Sequence, residues 1–330
     1  MSSIPFSRTV NAKEPASQFL RATGRTFGSF AVLPSNVSGV ETALHFATGL
    51  SKLAVIVGPS GWGKSHILDG VYEKMCERHE ELPRVVSATD WIACAAPQDP
   101  MLPLLLDDVQ EVANRPRARI QLRLALERRV KAGRPTLLSY AAPKKTRHLN
   151  SILPNARDWN VGVIAEPAPS ERMLVISELA QGEGLTLSTA LTKVMANKMR
   201  GNGRTLLGAL RRLRLHGPLW SDVNGTLKAF GVLEPFFADS GTWDLRGHIL
   251  ACAKGFPASQ YGIAREDLAT YTMLRLAYLC ELDVARTMRV EPGEAYTRAI
   301  AFEKSCTNSE QALLAVRNFA EIVVDGLLSD

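Results

Sequence analysis

Short apolar runs alternate with longer segments of helical periodicity through the first half of the chain. Four apolar runs have the length of buried strands. They lie at 53–57, 84–87 and 135–140, and one runs from Leu104 to two carboxylates. The segments between them place apolar residues at helical spacing, as amphipathic helices do. Strands that alternate with helices predict a parallel sheet covered by helices, and hence an α/β fold.

Beyond Ala165 the pattern predicts helices and no further strands. The helices are predicted at 170–181, 187–195, 205–216, 243–256, 265–280, 282–290, 295–303 and 309–328, with a turn at 291–294. A helix, a tight turn and a second helix are the form of a DNA-reading module. The last third is therefore predicted to be an all-α domain of helix-turn-helix type.

A glycine-rich turn lies between the first strand and a helix predicted at 66–75. Its residues are Gly58, Pro59, Ser60, Gly61, Trp62, Gly63, Lys64 and Ser65. The glycines let successive backbone N–H groups face one anion, and the helix start adds its positive dipole end. Lys64 is expected to reach the β- and γ-phosphates and the Ser65 hydroxyl to hold Mg²⁺. The alternative is a glycine-rich turn that binds no nucleotide.

Two carboxylates follow the third strand. Asp107 and Asp108 come directly after Leu104-Leu-Leu. At a strand end beside bound phosphates, Asp107 can hold the Mg²⁺ shell and Asp108 can orient or deprotonate the attacking water. Together with the glycine-rich turn, the pair predicts an NTPase site. The alternative is a pair of solvated acids after a core strand.

Composition bounds the class of protein. The chain has 330 residues, 46% of them hydrophobic and 22% charged, which is ordinary for about two globular domains. No apolar run reaches the length of a membrane span, and the polar start is not a signal peptide, so a cytoplasmic protein is predicted. The five cysteines form no CxxC pair, which argues against a zinc site and a disulfide framework.

Positive charge makes nucleic acid a candidate partner. The net charge of +6 and pI near 9.1 are compatible with this but modest for the length. A basic amphipathic helix is predicted from Arg115 to Lys131, with apolar residues for packing at Ile120, Leu122, Leu124, Leu126 and Val130. Its basic face suits DNA phosphates, although a charged helix face is ordinarily just solvated.

Residues 1–25 are predicted to be a flexible leader because they are polar and contain few apolar residues. Within this leader, the peptide at 17–20 is a candidate for docking on a sliding clamp, and an ordinary helix start is the alternative. From Thr26 onward, Phe27 and Phe30 are expected to be apolar anchors. The turn residues that end at Asn36 are expected to cap a helix at 40–50.

Three segments resemble the AAA+ ATPase core of the bacterial initiator DnaA and its regulatory relative Hda. They are the aromatic segment that ends in Pro-Ser-Asn, the loop GPSGWGKSHIL and the strand LLLDDVQ. The resemblance covers 26–216 by specific motifs and 217–306 by helix order. It implies ATP or ADP with Mg²⁺ as cofactors. It also implies that Asn36 belongs to a segment that closes over the adenine and that His66 belongs to the nucleotide-binding loop.

The resemblance also implies two arginine roles. Arg157 matches the arginine finger that reaches the γ-phosphate of a neighbouring subunit, which implies self-assembly, although its spacing to Trp159 is one residue short. A surface arginine is the alternative. Arg204 matches the second sensor, which contacts the γ-phosphate from the lid.

The sequence departs from the family in three further respects. Residues 88–103 leave little room for the initiators' long helical insertion. The acidic sensor expected after the fourth strand is absent, which predicts slow hydrolysis, with Ser139 a partial substitute. The family's basic base-reading signature is replaced by acidic residues at 291–294, and its basic loop before the domain's long helix is replaced by residues 264–267, which include two acids. A protein-binding role for the last domain is therefore at least as well supported as DNA reading.

The resulting prediction is an AAA+ P-loop core with a parallel sheet at 26–165, a helical lid at 166–216 and a degenerate helix-turn-helix-like domain at 217–330. The function expected is nucleotide-dependent assembly on DNA or on the initiator, in replication initiation or its regulation, near the nucleoid. One alternative is a helicase-loader or transposition-type ATPase that binds a replicative helicase. Another is a nucleotide-gated interaction module without turnover.

Overall fold

The computed structural model describes residues 25–78, 82–93, 102–142, 149–237 and 243–329. The predicted leader, its clamp-docking peptide and the middle of the shortened insertion fall almost wholly outside the described residues. The chain divides into two compact units between Pro167 and Ala168. The further division into a lid and a last domain at 216/217 stays a prediction.

The first unit is built on a parallel sheet of five strands. The strands are β1 Leu53–Gly58, β2 Arg84–Ser87, β3 Leu104–Asp107, β4 Thr136–Ala141 and β5 Asn160–Val163, in the order β2-β3-β4-β1-β5. The helices are α1 Val37–Ala47, α2 Lys64–Glu77, α3 Ala88–Ala93, α4 Gln110–Ala113, α5 Pro116–Lys131 and α6 Leu149–Ile152. The predicted parallel α/β sheet is confirmed.

Strand β5 is absent from the sequence-based prediction. It is short and mostly exposed, and Gly162 interrupts its apolar pattern. A Cβ at Gly162 would lie 2.9 Å from the Gly39 Cα, so glycine is needed where α1 crosses the strand. Close backbone packing, which a single-sequence pattern does not show, explains this edge strand.

The core of this unit lies on both faces of the sheet. On one face, Val55, Leu106 and Leu138 form a cluster into which α5 packs. The alternate residues Ile56, Leu105 and Leu137 are fully buried on the other face. Central strands of a parallel sheet are buried on both faces, which is why their apolar runs are nearly continuous.

Helix α5 buries only part of its predicted packing set. Leu122 and Leu126 are fully buried, whereas Ile120 and Leu124 are 59% and 50% exposed. Residues two apart on a helix face different directions, so one pair of positions faces the core and the other faces away. The prediction is wrong for Ile120 and Leu124.

The second unit is mainly helical. Its helices are α7 Pro169–Gly182, α8 Thr189–Lys198, α9 Gly203–His216, α10 Val223–Val232, α11 Glu234–Phe237, α12 Leu245–Gly255, α13 Arg265–Tyr271, α14 Glu281–Met288, α15 Pro292–Thr307 and α16 Glu310–Ser329. The expectation of no further strands is wrong, because β6 Thr186–Leu187 and β7 Leu219–Trp220 pair in parallel. Among the described helices, none is both long and apolar enough to cross a membrane.

Two predicted boundaries in this unit are wrong. The helix predicted at 265–280 ends as an α-helix at Tyr271 and continues as a π-helical turn at Thr272–Leu276. The turn predicted at 291–294 lies earlier, at Arg289, which has a φ of 57°. Pro292 instead starts α15, because the fixed φ of proline suits the first helical position.

Candidate functional site

The glycine-rich turn connects the end of β1 to the start of α2. Gly61 and Gly63 have φ values of 79° and 90°, a region that glycine enters without strain. At Gly58 a Cβ would lie 2.6 Å from the Ile164 carbonyl oxygen, so a larger residue does not fit. The strand, turn and helix predicted from the sequence are therefore present, with α2 starting at Lys64.

Lys64 lies folded back over this turn. Its side chain is almost fully buried, and Nζ donates to the carbonyl oxygens of Gly58 at 3.0 Å and Pro59 at 2.7 Å. The ammonium group is thus held at the mouth of the loop by neutral acceptors. An anionic phosphate oxygen would be a stronger acceptor for the same group.

The other loop residues differ in exposure. Trp62 is buried, Pro59 and Ser65 are half-buried, and Ser60 is exposed. The Ser65 hydroxyl lies in the first turn of α2, one residue after Lys64. This matches the place that the sequence assigns to the metal-holding hydroxyl.

Residues 25–30, called here the N-terminal strap, lie along α2. The Phe27 ring packs where Gly70 has no side chain, and the Phe30 ring packs against Gly63, where a Cβ would lie 2.5 Å from its Cε2. The strap is closed by reciprocal hydrogen bonds between Thr26 and Ser29. The two predicted aromatic anchors therefore contact the glycine-rich turn and its helix directly.

His66 connects α2 to the strap. Its Nε2 lies 2.9 Å from the Thr26 carbonyl oxygen and 3.2 Å from the Ser29 Oγ, and its ring meets the Phe30 ring edge-on. Burial lowers the pKa of His66, and the Thr26 hydrogen bond opposes this shift. Since the carbonyl oxygen can only accept, Nε2 carries the proton of the neutral ring. A nucleotide contact for His66 stays a prediction.

Asn36 stands at the N-cap position of α1, but its side chain does not cap the helix. Its Oδ1 accepts from the Leu33 N–H at 2.8 Å and its Nδ2 donates to the Ala31 carbonyl oxygen at 2.8 Å. The expectation of side-chain capping is wrong, because the amide oxygen and the amide nitrogen of Asn36 both form hydrogen bonds with the backbone of the segment at 31–33. This segment leads into the helix that packs on β1, and its predicted adenine contact stays a prediction.

The two acids stand at the end of β3 with a buried serine beneath them. Ser139, fully buried on β4, donates its hydroxyl hydrogen to Asp107 Oδ1. The Asp108 N–H lies 3.0 Å from both Asp107 Oδ1 and Ser139 Oγ. The hydroxyl of Ser139 thus supports Asp107, and its role as a partial substitute for the missing sensor stays a prediction.

Gln110 is a site residue that the sequence analysis missed. Its Nε2 donates to Asp108 Oδ1 at 2.8 Å, and its Oε1 accepts from the Ala141 N–H at 2.8 Å. The only sequence signal is its place two residues after the acid pair, at the start of α4. Its partner Ala141 is 31 residues away, so the link depends on sheet order.

Asp69 is a second missed residue. It is 6% exposed on α2, and burial raises the pKa of its carboxyl from 3.8 to about 6. The Arg25 guanidinium, 3.6 Å away, lowers the pKa and the charge of Asp107 raises it. Asp69 and Asp107 are therefore electrostatically coupled, although burial has the larger effect on the pKa of Asp69.

The donor set of this site suits a Mg-nucleotide. The ends of β1 and β3 flank the end of β4, so they lie roughly 10 Å apart at the usual strand spacing. A hydroxyl and a carboxylate, those of Ser65 and Asp107, are the oxygen ligands that Mg²⁺ takes. The cradle, the ammonium group and the acids therefore fit a triphosphate with its metal ion.

The two predicted arginines lie in different units. Arg157 is exposed on a single 3₁₀ turn, Ala156–Asp158, just before β5. Arg204 is exposed in the first turn of α9, which the Asn202 side chain caps. The roles of finger and second sensor stay predictions.

Comparisons with known proteins bear on the family. No family model matches the chain. Over 207 residues the chain is 26% identical to the chromosomal replication initiator protein DnaA of Dechloromonas aromatica (strain RCB), which covers 57% of this chain and 44% of that protein. The chain thus spans less than half the length of this curated relative. The match confirms the resemblance to DnaA that the motifs predicted.

Three solved structures have a similar fold. Domain III of DnaA from Thermotoga maritima has a TM-score of 0.53 at 18% identity, covering 64% of this chain and 97% of that one. AMPPCP-bound DnaA from Aquifex aeolicus has a TM-score of 0.53 at 16% identity, covering 92% and 98%. A DnaA bound to AMPPCP and single-stranded DNA has a TM-score of 0.50 at 16% identity, with the same coverage. These structures confirm the predicted AAA+ fold.

Proposed function

We propose that this chain is an ATP-binding, DnaA-like AAA+ protein that acts in DNA replication initiation or its regulation. It does so by nucleotide-dependent assembly on DNA or on the initiator. The observation that carries the proposal is the glycine-rich cradle with the buried Lys64, beside an acid pair anchored by Ser139. Sequence similarity to an initiator supports the biological setting.

In this proposal the loop N–H groups and Lys64 bind the β- and γ-phosphates, while Ser65 and Asp107 hold the metal. Bound Mg²⁺ would supply charge neutralisation at the transferring phosphoryl group. Asp108 orients the attacking water through its carboxylate. Hydrolysis is slow because Ala141 ends β4 where a polar sensor is expected. Arg157 completes the site of a neighbouring copy, which makes turnover depend on assembly.

DNA is the proposed macromolecular partner, bound with low sequence specificity. The exposed basic residues of α5, among them Arg117 and Arg128, offer phosphate contacts. A fold similar to that of an initiator bound to single-stranded DNA supports this choice. A sliding clamp or a replicative helicase is a further possible partner, and association with the nucleoid would follow from DNA binding.

Calorimetric titration with ATP and ADP tests the central claim. We expect Lys64→Ala to weaken ATP affinity by about 10- to 100-fold, since a charge-assisted contact is lost. Lys74→Ala is the matched control, because Lys74 is exposed on the same helix and pairs with Glu77. Wild-type protein that gives no heat with ATP, or equal affinity in both variants, would contradict the proposal.

One alternative has an observation in its favour. A nucleotide-gated interaction module without turnover is consistent with the missing sensor and with the acidic residues Glu291 and Glu294 at the start of α15. Single-turnover hydrolysis by wild type and Asp108→Asn distinguishes this module from the proposed ATPase. A wild-type rate no faster than that of the variant, with ATP affinity intact, would favour the module. Specific capture of a replicative helicase would instead favour a loader.

A further inference from the structure

Gln110 joins two groups that the proposed chemistry needs in fixed relation. Its amide nitrogen donates to one carboxylate oxygen of Asp108, and its amide oxygen accepts from the Ala141 N–H at the end of β4. Both distances are 2.8 Å, which is a short, well-formed hydrogen bond for an amide. The side chain is therefore a bridge between the acid pair and the neighbouring strand.

The backbone of Asp108 is already fixed without Gln110. Its φ of 54° is unusual for a non-glycine residue. Its N–H is held by Asp107 Oδ1 and Ser139 Oγ. What remains free is the rotation of the carboxylate about its side-chain bonds. The hydrogen bond from Gln110 fixes that rotation.

Only Oδ1 of the carboxylate takes this hydrogen bond. A carboxylate has acceptor sites on both oxygens, so Oδ2 keeps capacity to accept from a water molecule. A hydrogen bond that fixes Oδ1 therefore also fixes the direction in which Oδ2 points. This is the arrangement expected for a general base whose direction is set by a partner.

Ala141 has no polar side chain to connect β4 with the reacting phosphate. Through Gln110, the backbone of β4 is instead joined to Asp108 itself. We propose that Gln110 is the positioning residue for Asp108 in ATP hydrolysis. This inference rests on the proposed function, and Gln110 acts through Asp108 rather than on the substrate.

Two substitutions separate positioning from structural support. Gln110→Ala removes both hydrogen bonds. Gln110→Glu keeps an acceptor for the Ala141 N–H but, when ionised, cannot donate to Asp108 and repels it. A merely structural residue would tolerate Gln110→Glu better than Gln110→Ala. Glu111→Ala is the control, because Glu111 is the exposed neighbour on the same helix.

Single-turnover hydrolysis and ATP affinity are measured for each variant. We expect Gln110→Ala to lower the hydrolysis rate about tenfold, the effect of one lost hydrogen bond to a charged group. ATP affinity should stay within twofold of wild type. Gln110→Glu should be at least as slow at neutral pH. Its rate relative to wild type should recover as the pH falls, because a protonated glutamate can donate again.

The outcomes are distinguishable from failure of the proposed function. Absent ATP binding by wild type overturns the function and this inference together. Intact binding with wild-type hydrolysis in Gln110→Ala overturns only the inference. Intact binding without Asp108-dependent hydrolysis overturns the inference and favours the interaction module over the ATPase. A Gln110→Glu variant that matches wild type at every pH does the same. Should Gln110→Ala fail to fold, the pH dependence of Gln110→Glu decides alone.

Discussion

Asp69 shows how burial changes one side chain on α2, the helix that follows the glycine-rich turn. Its carboxyl is buried on α2, with the Arg25 guanidinium as a partly exposed partner. Burial disfavours the charged form more than this partner favours it, so the pKa rises to about 6. At neutral pH the folded protein therefore holds an ionised carboxyl at a net cost.

We expect Asp69→Asn to stabilise the protein at neutral pH. A pKa raised from 3.8 to about 6 means that the folded state binds the proton more tightly, so stability falls as the pH rises through this range. The variant should gain about 1 to 3 kcal/mol near pH 7.5 and almost nothing near pH 4. Denaturant unfolding at both pH values measures this.

The control for this prediction is Glu73→Gln, an exposed acid on the same helix. It should change stability little at either pH. A loss of stability in Asp69→Asn near neutral pH would show that the ion pair with Arg25 outweighs burial.

Gly63 and Gly133 separate two reasons for glycine. Both have positive φ, 90° and 64°, but a Cβ at Gly63 would meet the Phe30 ring while Gly133 has nothing within 4 Å. We expect Gly133→Ala to cost about 1 kcal/mol and Gly63→Ala about 3 kcal/mol or more. Thermal or denaturant unfolding measures both. Equal costs would show that the strap does not constrain the loop.

At the scale of elements, helix α10 crosses the segment after the π-helical turn. A Cβ at Gly231 would lie 1.7 Å from the Ala277 carbonyl oxygen, so the helix backbone touches the chain there. The break after Leu276 that ends the predicted long helix is therefore packed against α10. The break is a property of helix packing rather than of local propensity.

We expect Gly231→Ala to destabilise the protein by about 3 kcal/mol or more, because the backbone must move. Gly208→Ala in α9 is the matched control. Its Cβ would meet only the Phe236 ring at 3.7 Å, an ordinary contact. Alanine there should gain about 0.5 to 1 kcal/mol from helix propensity. Similar effects in denaturant unfolding would contradict this account of the crossing.

At the scale of the whole molecule, the proposed function requires copies to associate. Arg157 is exposed at the edge of the sheet, next to β5, and the resemblance assigns it to a neighbour's nucleotide. A contact of this kind would make association depend on the γ-phosphate. The mass of the protein in solution should then depend on which nucleotide is bound.

We expect wild-type protein to form larger species with ATP than with ADP. Arg157→Ala should bind ATP normally and lose this difference, as measured by gel filtration with light scattering. Lys52→Ala is the control, because Lys52 is an exposed basic residue just before β1, the strand that pairs with β5. Equal mass with both nucleotides, with and without DNA, would contradict nucleotide-dependent assembly.

The sequence by itself determined four of the five strands of the sheet, the glycine-rich turn, the acid pair and the helical second half. These features are local, because the periods of strands and helices and the chemistry of turns depend on neighbouring residues. The tertiary structure alone decided which distant residues meet. The bridge from Asp108 through Gln110 to Ala141, the hydroxyl of Ser139 beneath Asp107 and the burial of Asp69 depend on strand order and helix packing. The hydrophobic periodicity of a single sequence carries no information about strand order or helix packing.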